Sequence, residues 1–392
     1  MRSRSIHLDS NPRILIIARQ GLGDALFFSP TLERLRSRLP GARIDVLVED
    51  GGAEGIFRHS RLCDYVYRVQ PGILGCAFRQ LIELRRVRYQ VALVEFPSGY
   101  RSALIARLLG IPVRVGHCLK GWLAGMRLFL THMPKADLRI HRTVNNLNLL
   151  GPLGLHQEDN DHVRIQVTLD PGKREAAARF LAGHKISGTL VGMHPGSGPR
   201  AAAGPGTSAP SRQQGPPSTA RVIVERRWPA EKYLELARRI CSGSKVQILV
   251  FGVQGEELVV GKITEGLHGR ATAVLGLDLE LAAALIERCS LFVAGDSGPL
   301  HLANALGVPA VGVYGPTDPQ FAGPFNPGGE TVTLGIECSP CFKFSPFWHC
   351  IHETNLCLQN LETPVVYRAC QAVLQRQVPS PVEESSAPQT PV

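Results

Sequence analysis

The chain has 392 residues, of which 44% are hydrophobic and 19% charged, and it carries a net charge of +10 at pH 7. This balance excludes a disordered protein, and the length suits two domains of roughly 150–200 residues each better than one core. The positive charge points either to anionic partners or to a basic solvated surface, while only 6% aromatic residues weighs against a stacking platform for single-stranded nucleic acid.

The N-terminal stretch MRSRSIHLDSNPRILIIARQG is basic, and its apolar run, Ile14 to Ala18, ends before Arg19. That run is too short for a signal peptide, and no stretch approaches the ~18 apolar residues of a spanning helix. A cytoplasmic protein is expected, with its ten cysteines as reduced thiols.

RILIIA reads as a buried strand, followed by a Gly turn and a helix carrying Leu32, Leu35 and Leu39 up to Pro40-Gly41. ARIDVLVE and the shorter LCDYVYRV are the next strands. FRQLIELRRVR is a helix, YQVALVEFP a strand, SALIARLLG a helix and PVRVGH a short strand. HRTVNNLNLLGPLGL reads as a helix with a Gly-Pro exit, and HVRIQVTLDPGKREAAARFLAGH carries the chain onward. The rhythm then restarts: strand TLVGMHPGSG, helix AEKYLELARRICS, strand KVQILVFGVQGEE, helix ELAAALIERCS, strand LFVAGDSGP, helix LHLANALG and strand AVGVYGP. The alternation predicts two α/β halves in tandem, with mostly parallel sheets and a cleft at the C-terminal strand ends. Residues 199–220 and the tail 377–392 are Pro/Gly/Ser-rich without apolar periodicity and are expected to be disordered.

Five stretches carry chemistry. Gly21-Leu22-Gly23-Asp24 follows the first strand like a dinucleotide fingerprint, but Leu26 stands where the third glycine belongs, and Asp24 would repel a pyrophosphate. Gly295-Asp296-Ser297-Gly298 ends a later strand and opens a helix at Pro299. It is either an anion site at the helix N-terminus or an ordinary N-cap made by Asp296 or Ser297. His194, at the head of His194-Pro195-Gly196-Ser197-Gly198, faces a ligand or bonds the backbone. Arg226 and Arg227, before Trp228-Pro229, hold a diphosphate or are surface charge. Finally, Cys338, Cys341, Cys350 and Cys357 cluster with His349 and His352. The first pair has metal-ligand spacing and the second does not continue a standard zinc knuckle, leaving a structural metal or packed and surface thiols as alternatives.

Together, RILIIARQGLGDALFFSPTLERLRSRLPGARIDVLVE, SALIARLLGIPVRVGH, VGMHPGSG, RRWPAEKYLELA, FVAGDSGPLHLANALGVPAVGVYGPTDP and CSPC, in this order, resemble glycosyltransferase family 9, the ADP-heptose:lipopolysaccharide heptosyltransferases. The resemblance spans roughly residues 12–375. It implies a GT-B fold of two Rossmann-like domains facing across a cleft: 12–175 binding the acceptor and 185–375 the nucleotide sugar. It implies an inverting, metal-independent transfer of heptose from ADP-heptose to the lipopolysaccharide inner core, needing no cofactor, at the cytoplasmic face of the inner membrane. Asp24 matches the family's catalytic carboxylate. Arg226 matches a basic residue that is usually Lys, and Asp296, Ser297, Gly298 and His301 match the donor loop. His194, Ser197 and Glu256 or Glu257 are further donor-side candidates, and Gly23 and Arg101 acceptor-side ones. Three departures stand out: ARQGLGD stands where the family commonly has a small hydroxylic residue before Gly23, which bears on acceptor contacts; Arg replaces Lys at 226; and an insertion of about twenty residues separates HPGSG from RRWP. Two rivals are a family member that uses another nucleotide sugar for another surface glycan, and a non-catalytic nucleotide-sugar-binding protein.

Overall fold

The computed structural model describes residues 6, 8–18, 21–49, 51–69, 74–96, 99–117, 123–155, 163–196, 226–242, 245–341, 350–352 and 354–376. Ser197, the 199–220 insertion, His349 and the 377–392 tail lie outside the described residues.

The first half contains strands β1 (Arg13–Ala18), β2 (Arg43–Val48), β3 (Tyr65–Arg68), β4 (Val91–Val94) and β5 (Val113–Gly116). Its helices are α1 (Leu22–Arg38), α2 (Gly51–Arg58), α3 (Leu74–Val87), α4 (Tyr100–Leu108), α5 (Leu123–Met126) and α6 (Arg142–Asn148); α7 (Pro171–Gly183) follows. The second half contains β6 (Thr189–His194), β7 (Val246–Phe251), β8 (Ala271–Val274), β9 (Leu291–Gly295), β10 (Ala310–Val313) and β11 (Gly329–Val332). Its helices are α8 (Ala230–Cys241), α9 (Glu257–Glu265), α10 (Leu279–Glu287), α11 (Gly298–Ala305), α12 (Pro319–Ala322), α13 (Leu356–Gln359) and α14 (Thr363–Gln375).

Both sheets are parallel. The first runs β3-β2-β1-β4-β5 and the second β11-β10-β9-β6-β7-β8. Each therefore repeats the doubly wound order, with its topological switch between β1 and β4 or between β6 and β9, where such sheets bind ligands at the carboxyl ends. The central strands bury both faces, which explains their continuous apolar runs: Ile14 to Ala18 and Leu291 to Ala294 are at most 1% exposed.

Several elements escape the sequence reading. The predicted strand from Lys245 to Glu257 ends at Phe251, and α9 and β8 follow it. ELVVGKITE carries β-branched residues and a mid-helix glycine, both poor helix formers, and only packing of Val260 and Ile263 into the core holds it helical. α2 opens on two glycines and is held through buried Ala53 and Phe57, one turn apart. β8 is too short and too exposed to show a pattern. α7 precedes β6 in the chain yet packs on α10 of the second half, with Lys173 bonded to Asp278 at 2.8 Å and Arg174 to both Glu287 oxygens at 2.7 Å.

The two halves also share apolar surface. Leu26, Phe27 and Phe96 of the first half belong to one core cluster with Leu300, Leu302, Tyr314 and Phe321 of the second. Among the described residues no helix is long and apolar enough to cross a membrane.

Candidate active site

The tips of the switch-point strands converge. β1 delivers Gly21 to Asp24, β4 delivers Phe96, β6 delivers His194, and β9 delivers Asp296 and Ser297. Helices α1 and α11 meet N-terminus to N-terminus. A Cβ on Gly23 would lie 3.0 Å from His301 Cδ2, and one on Gly298 would lie 3.0 Å from Leu22 Cδ2. Gly23 thus allows the close approach of the two halves. Two positive helix ends pointing into one cleft make a field that favours anions.

Asp24 sits in the first turn of α1, where Oδ2 accepts from the N–H of Gly21 at 3.2 Å, half of a capping box. Its other oxygen is ion-paired with Arg142 Nη2, a contact absent from the sequence reading. Arg142, from α6, also donates to the Phe96 carbonyl at 3.0 Å and lies over the Phe27 ring at 5.5 Å. It is nearly buried, with 12% of its side chain exposed, so both its position and that of the carboxylate are fixed. HRTVNNL reads only as a helix because nothing in its spacing marks Arg142 as inward-facing.

On the donor side, Arg226 Nη1 bonds Asp296 Oδ2 at 2.9 Å, and His301 Nε2 lies 3.6 Å from Oδ1. Burial works against the Asp296 carboxylate, but the nearby imidazole of His301 and the charge of Arg226 outweigh it and hold the group well below the usual carboxylate range. Burial likewise opposes the charge of Arg226, while Asp296, and more weakly Asp24, hold that guanidinium above its usual value. Arg226 therefore feels carboxylates of both halves. Arg227, the next residue, is exposed, whereas Arg226 is half-buried.

Ser297 is the N-cap residue of α11 but makes no side-chain cap; its Oγ instead shares a 3.1 Å hydrogen bond with His194 Nδ1. With Asp296 turned to Arg226 and His301, the side-chain N-cap alternative gives way; Pro299 has no N–H and the Leu300 N–H donates to the Ser297 carbonyl at 3.1 Å, so of the first three residues of α11 only Gly298 offers an N–H toward the cleft. His194 Nε2 in turn lies 3.3 Å from Glu256 Oε2. Glu256 also accepts from the Val253 N–H at 3.0 Å and fills the space behind Gly196, where a Cβ would stand 2.0 Å from Oε1. Of the two glutamates left open by the sequence, Glu256 joins the site. Glu257 closes its own turn by accepting the Gly255 N–H with both oxygens.

His141 bridges the halves. Its Nδ1 accepts from the Thr143 N–H at 3.1 Å and its Nε2 donates to the Gly323 carbonyl at 3.0 Å. Burial pushes its pKa down to about 4, so it is a neutral hydrogen-bonding strut. Arg101 lies exposed in the first turn of α4; among the described residues no hydrogen bond or ion pair joins it to the Asp24 cluster.

The four C-terminal cysteines stand apart from this cleft, and all are free thiols. They line one cavity beside Pro316, together with His352.

A family described as glycosyltransferase family 9 (heptosyltransferase) has a model that matches residues 78–351. Lipopolysaccharide heptosyltransferase 2 of Escherichia coli (strain K12) is 25% identical over 351 residues, covering 82% of this chain and 88% of the relative. Among solved structures, the glycosyl transferase family 9 from Veillonella parvula DSM 2008 superposes with a TM-score of 0.72 at 21% identity, covering 95% of this chain and 99% of that one. The E. coli ADP-heptose lps heptosyltransferase II gives 0.68 at 21% identity, covering 93% and 99%. This likeness shows the GT-B fold expected from the sequence.

Proposed function

The chain belongs to glycosyltransferase family 9, and from that premise we propose that it transfers a heptosyl group from ADP-heptose to an inner-core sugar of lipopolysaccharide with inversion, Asp24 acting as general base. The single observation that carries the assignment of roles is the meeting of α1 and α11: a carboxylate at one helix start faces an anion-binding helix start at the other.

On this reading residues 12–175 take the acceptor and 185–375 the donor. The acceptor hydroxyl attacks the anomeric carbon, its proton passes to Asp24, and the bond to ADP breaks with its electron pair going to the diphosphate. Base catalysis of this kind contributes typically ~10²–10⁴-fold. The Gly298 N–H with the positive end of α11, and Arg226, stabilise the charge that grows on the leaving diphosphate. The transition state has oxocarbenium character, as in glycoside hydrolysis. Glu256, His194 and Ser297 form the floor that orients the donor. Arg142 fixes the base, and neither a metal nor a cofactor has a part in the proposed step. Net charge +10 suits an acceptor in an anionic membrane surface, and we place the protein peripherally at the cytoplasmic face of the inner membrane. Partitioning onto vesicles with anionic lipid should then fall with salt, and salt-independent partitioning contradicts that placement.

Thermal-shift screening tests the donor. ADP and ADP-heptose are expected to raise Tm, whereas UDP and GDP are not. Stabilisation by UDP or GDP alone rejects ADP as the donor nucleotide.

A further inference from the structure

We propose that the outer face of α4, with Leu128 on the turn beside it, docks onto an anionic lipid surface. The proposal rests on the peripheral placement given above and names the face that makes the contact. Tyr100, Leu104 and Leu108 recur at intervals of four, so they form one stripe along α4, and they are 40%, 40% and 51% exposed. Leu128 is 65% exposed. The Arg107 guanidinium donates to the Leu128 carbonyl at 3.0 Å, which holds that turn against α4 and joins Leu128 to the stripe. The opposite face of α4 is ordinary core: Ala103 and Ala106 are buried, Ala103 in a cluster with Met126 and Leu130. A helix apolar on both faces is normally covered on both. Here only one is covered by the protein.

Charge commits the face to its partner. From residue 97 to residue 136 the sequence contains no Asp or Glu and six Lys or Arg. The net positive charge of the chain is therefore concentrated in this stretch, without local counter-charge. Arg101 and Arg107 on α4, and Arg127 next to Leu128, are exposed. Apolar side chains among unopposed guanidinium groups match an anionic bilayer: the cations stay at headgroup level while the leucines and the tyrosine ring enter the boundary with the acyl chains. A second copy of this chain would bring the same cations to the same face and be repelled. The position suits the reaction as well. Tyr100 opens α4 four residues after Phe96, whose carbonyl holds Arg142 beside Asp24. Docking through α4 thus sets the rim of the acceptor half against the lipid that anchors its acceptor.

The test is sedimentation of the full-length chain with vesicles of phosphatidylcholine alone and of a phosphatidylcholine/phosphatidylglycerol mixture. Leu104→Ser/Leu108→Ser/Leu128→Ser should keep the Tm of the unaltered chain yet bind the mixed vesicles at least about tenfold more weakly, since three leucines no longer gain from leaving water. Arg127→Glu should also weaken binding to the mixed vesicles. Leu258→Ser, at a 92% exposed leucine of the second half, should bind like the unaltered chain. Undiminished binding by the triple variant overturns the proposal and leaves the peripheral placement standing, as does equal weakening by Leu258→Ser. Failure of the unaltered chain to bind mixed vesicles overturns both. Self-association without lipid that the same three substitutions abolish assigns the face to a second copy and overturns the proposal too. If the triple variant does not fold, Arg127→Glu decides alone, and unchanged binding to the mixed vesicles then rejects this face.

Discussion

The guanidinium of Arg142 holds the carboxylate of Asp24 from a helix far along the chain, and the Phe96 carbonyl fixes the same guanidinium at 3.0 Å. A base gripped in this way is oriented before substrate arrives. Asp24→Ala should lower kcat by about 10²–10⁴-fold while leaving ADP affinity nearly unchanged. Turnover measured beside calorimetric titration of ADP checks this, and wild-type kcat in the variant refutes the role. Arg142→Ala should lower kcat with little change in donor KM, and Arg142→Lys should recover only part of it, because an ammonium cannot bond Asp24 and the Phe96 carbonyl in the same planar geometry.

Arg226 separates binding from chemistry on the other side. Arg226→Met leaves Asp296 buried with only His301 beside it, so both stability and ADP affinity should fall. The Tm should drop even without ligand, and the shift produced by ADP should shrink. An unchanged ADP shift would show that the diphosphate does not reach this residue.

Gly196→Ala tests the floor of the donor site. The added methyl meets Glu256 Oε1 at 2.0 Å, so Glu256 must move away from His194. Overpacking of this kind costs about 1–3 kcal/mol. Donor KM should rise more than kcat falls, and the progress curves at varied donor concentration report the split.

His141 gives a pH dependence of defined sign. The unfolded imidazole takes up its proton near pH 6.5, the folded one only near 4 because of burial. Between these values the unfolded state binds the extra proton, so the stability seen at neutral pH is lost as pH falls from about 6.5 to about 4. Asp296, whose folded carboxyl is depressed, adds a second loss below about pH 3.9, the unfolded value. His141→Gln keeps a donor to Gly323 and should make the upper window shallower, leaving the part from His117, whose imidazole burial also pushes down. Tm recorded from pH 7 to 4 for both proteins decides it, and parallel curves would exclude His141 as the source.

Much of the fold was legible because parallel strands buried on both faces announce themselves as apolar runs, and glycine turns mark their ends. The misses have physical causes. α9 is β-branched and glycine-interrupted, so tertiary packing overrides its propensity. Of the site, Asp24, Asp296, Ser297 and Gly298 were legible as turn residues at strand tips, Arg226 as a cation before a helix, and His301 and Glu256 (or Glu257) only through the family resemblance; the structure brings Asp24, Arg226, Glu256, Asp296, Ser297, Gly298 and His301 together. Arg142 and His141 were not, because their partners, Asp24 and Gly323, are distant in sequence and an inward-facing cation on a short helix looks like any other surface charge. The sequence also could not say that Ser297 turns to His194 instead of capping its own helix.

The near-touch of Gly23 and His301 has a consequence for modularity. Doubly wound halves of this type invite exchange between relatives as interchangeable cassettes. In this protein the seam is tight at two points: a methyl at position 23 would lie 3.0 Å from the His301 imidazole of the other half, and one at position 298 would lie 3.0 Å from Leu22. A chimera that keeps each half's own sheet but places a side chain at either glycine must displace the facing residue of the other half. Compatibility between halves is therefore set in part at two backbone positions, beyond the breadth of the apolar seam around them.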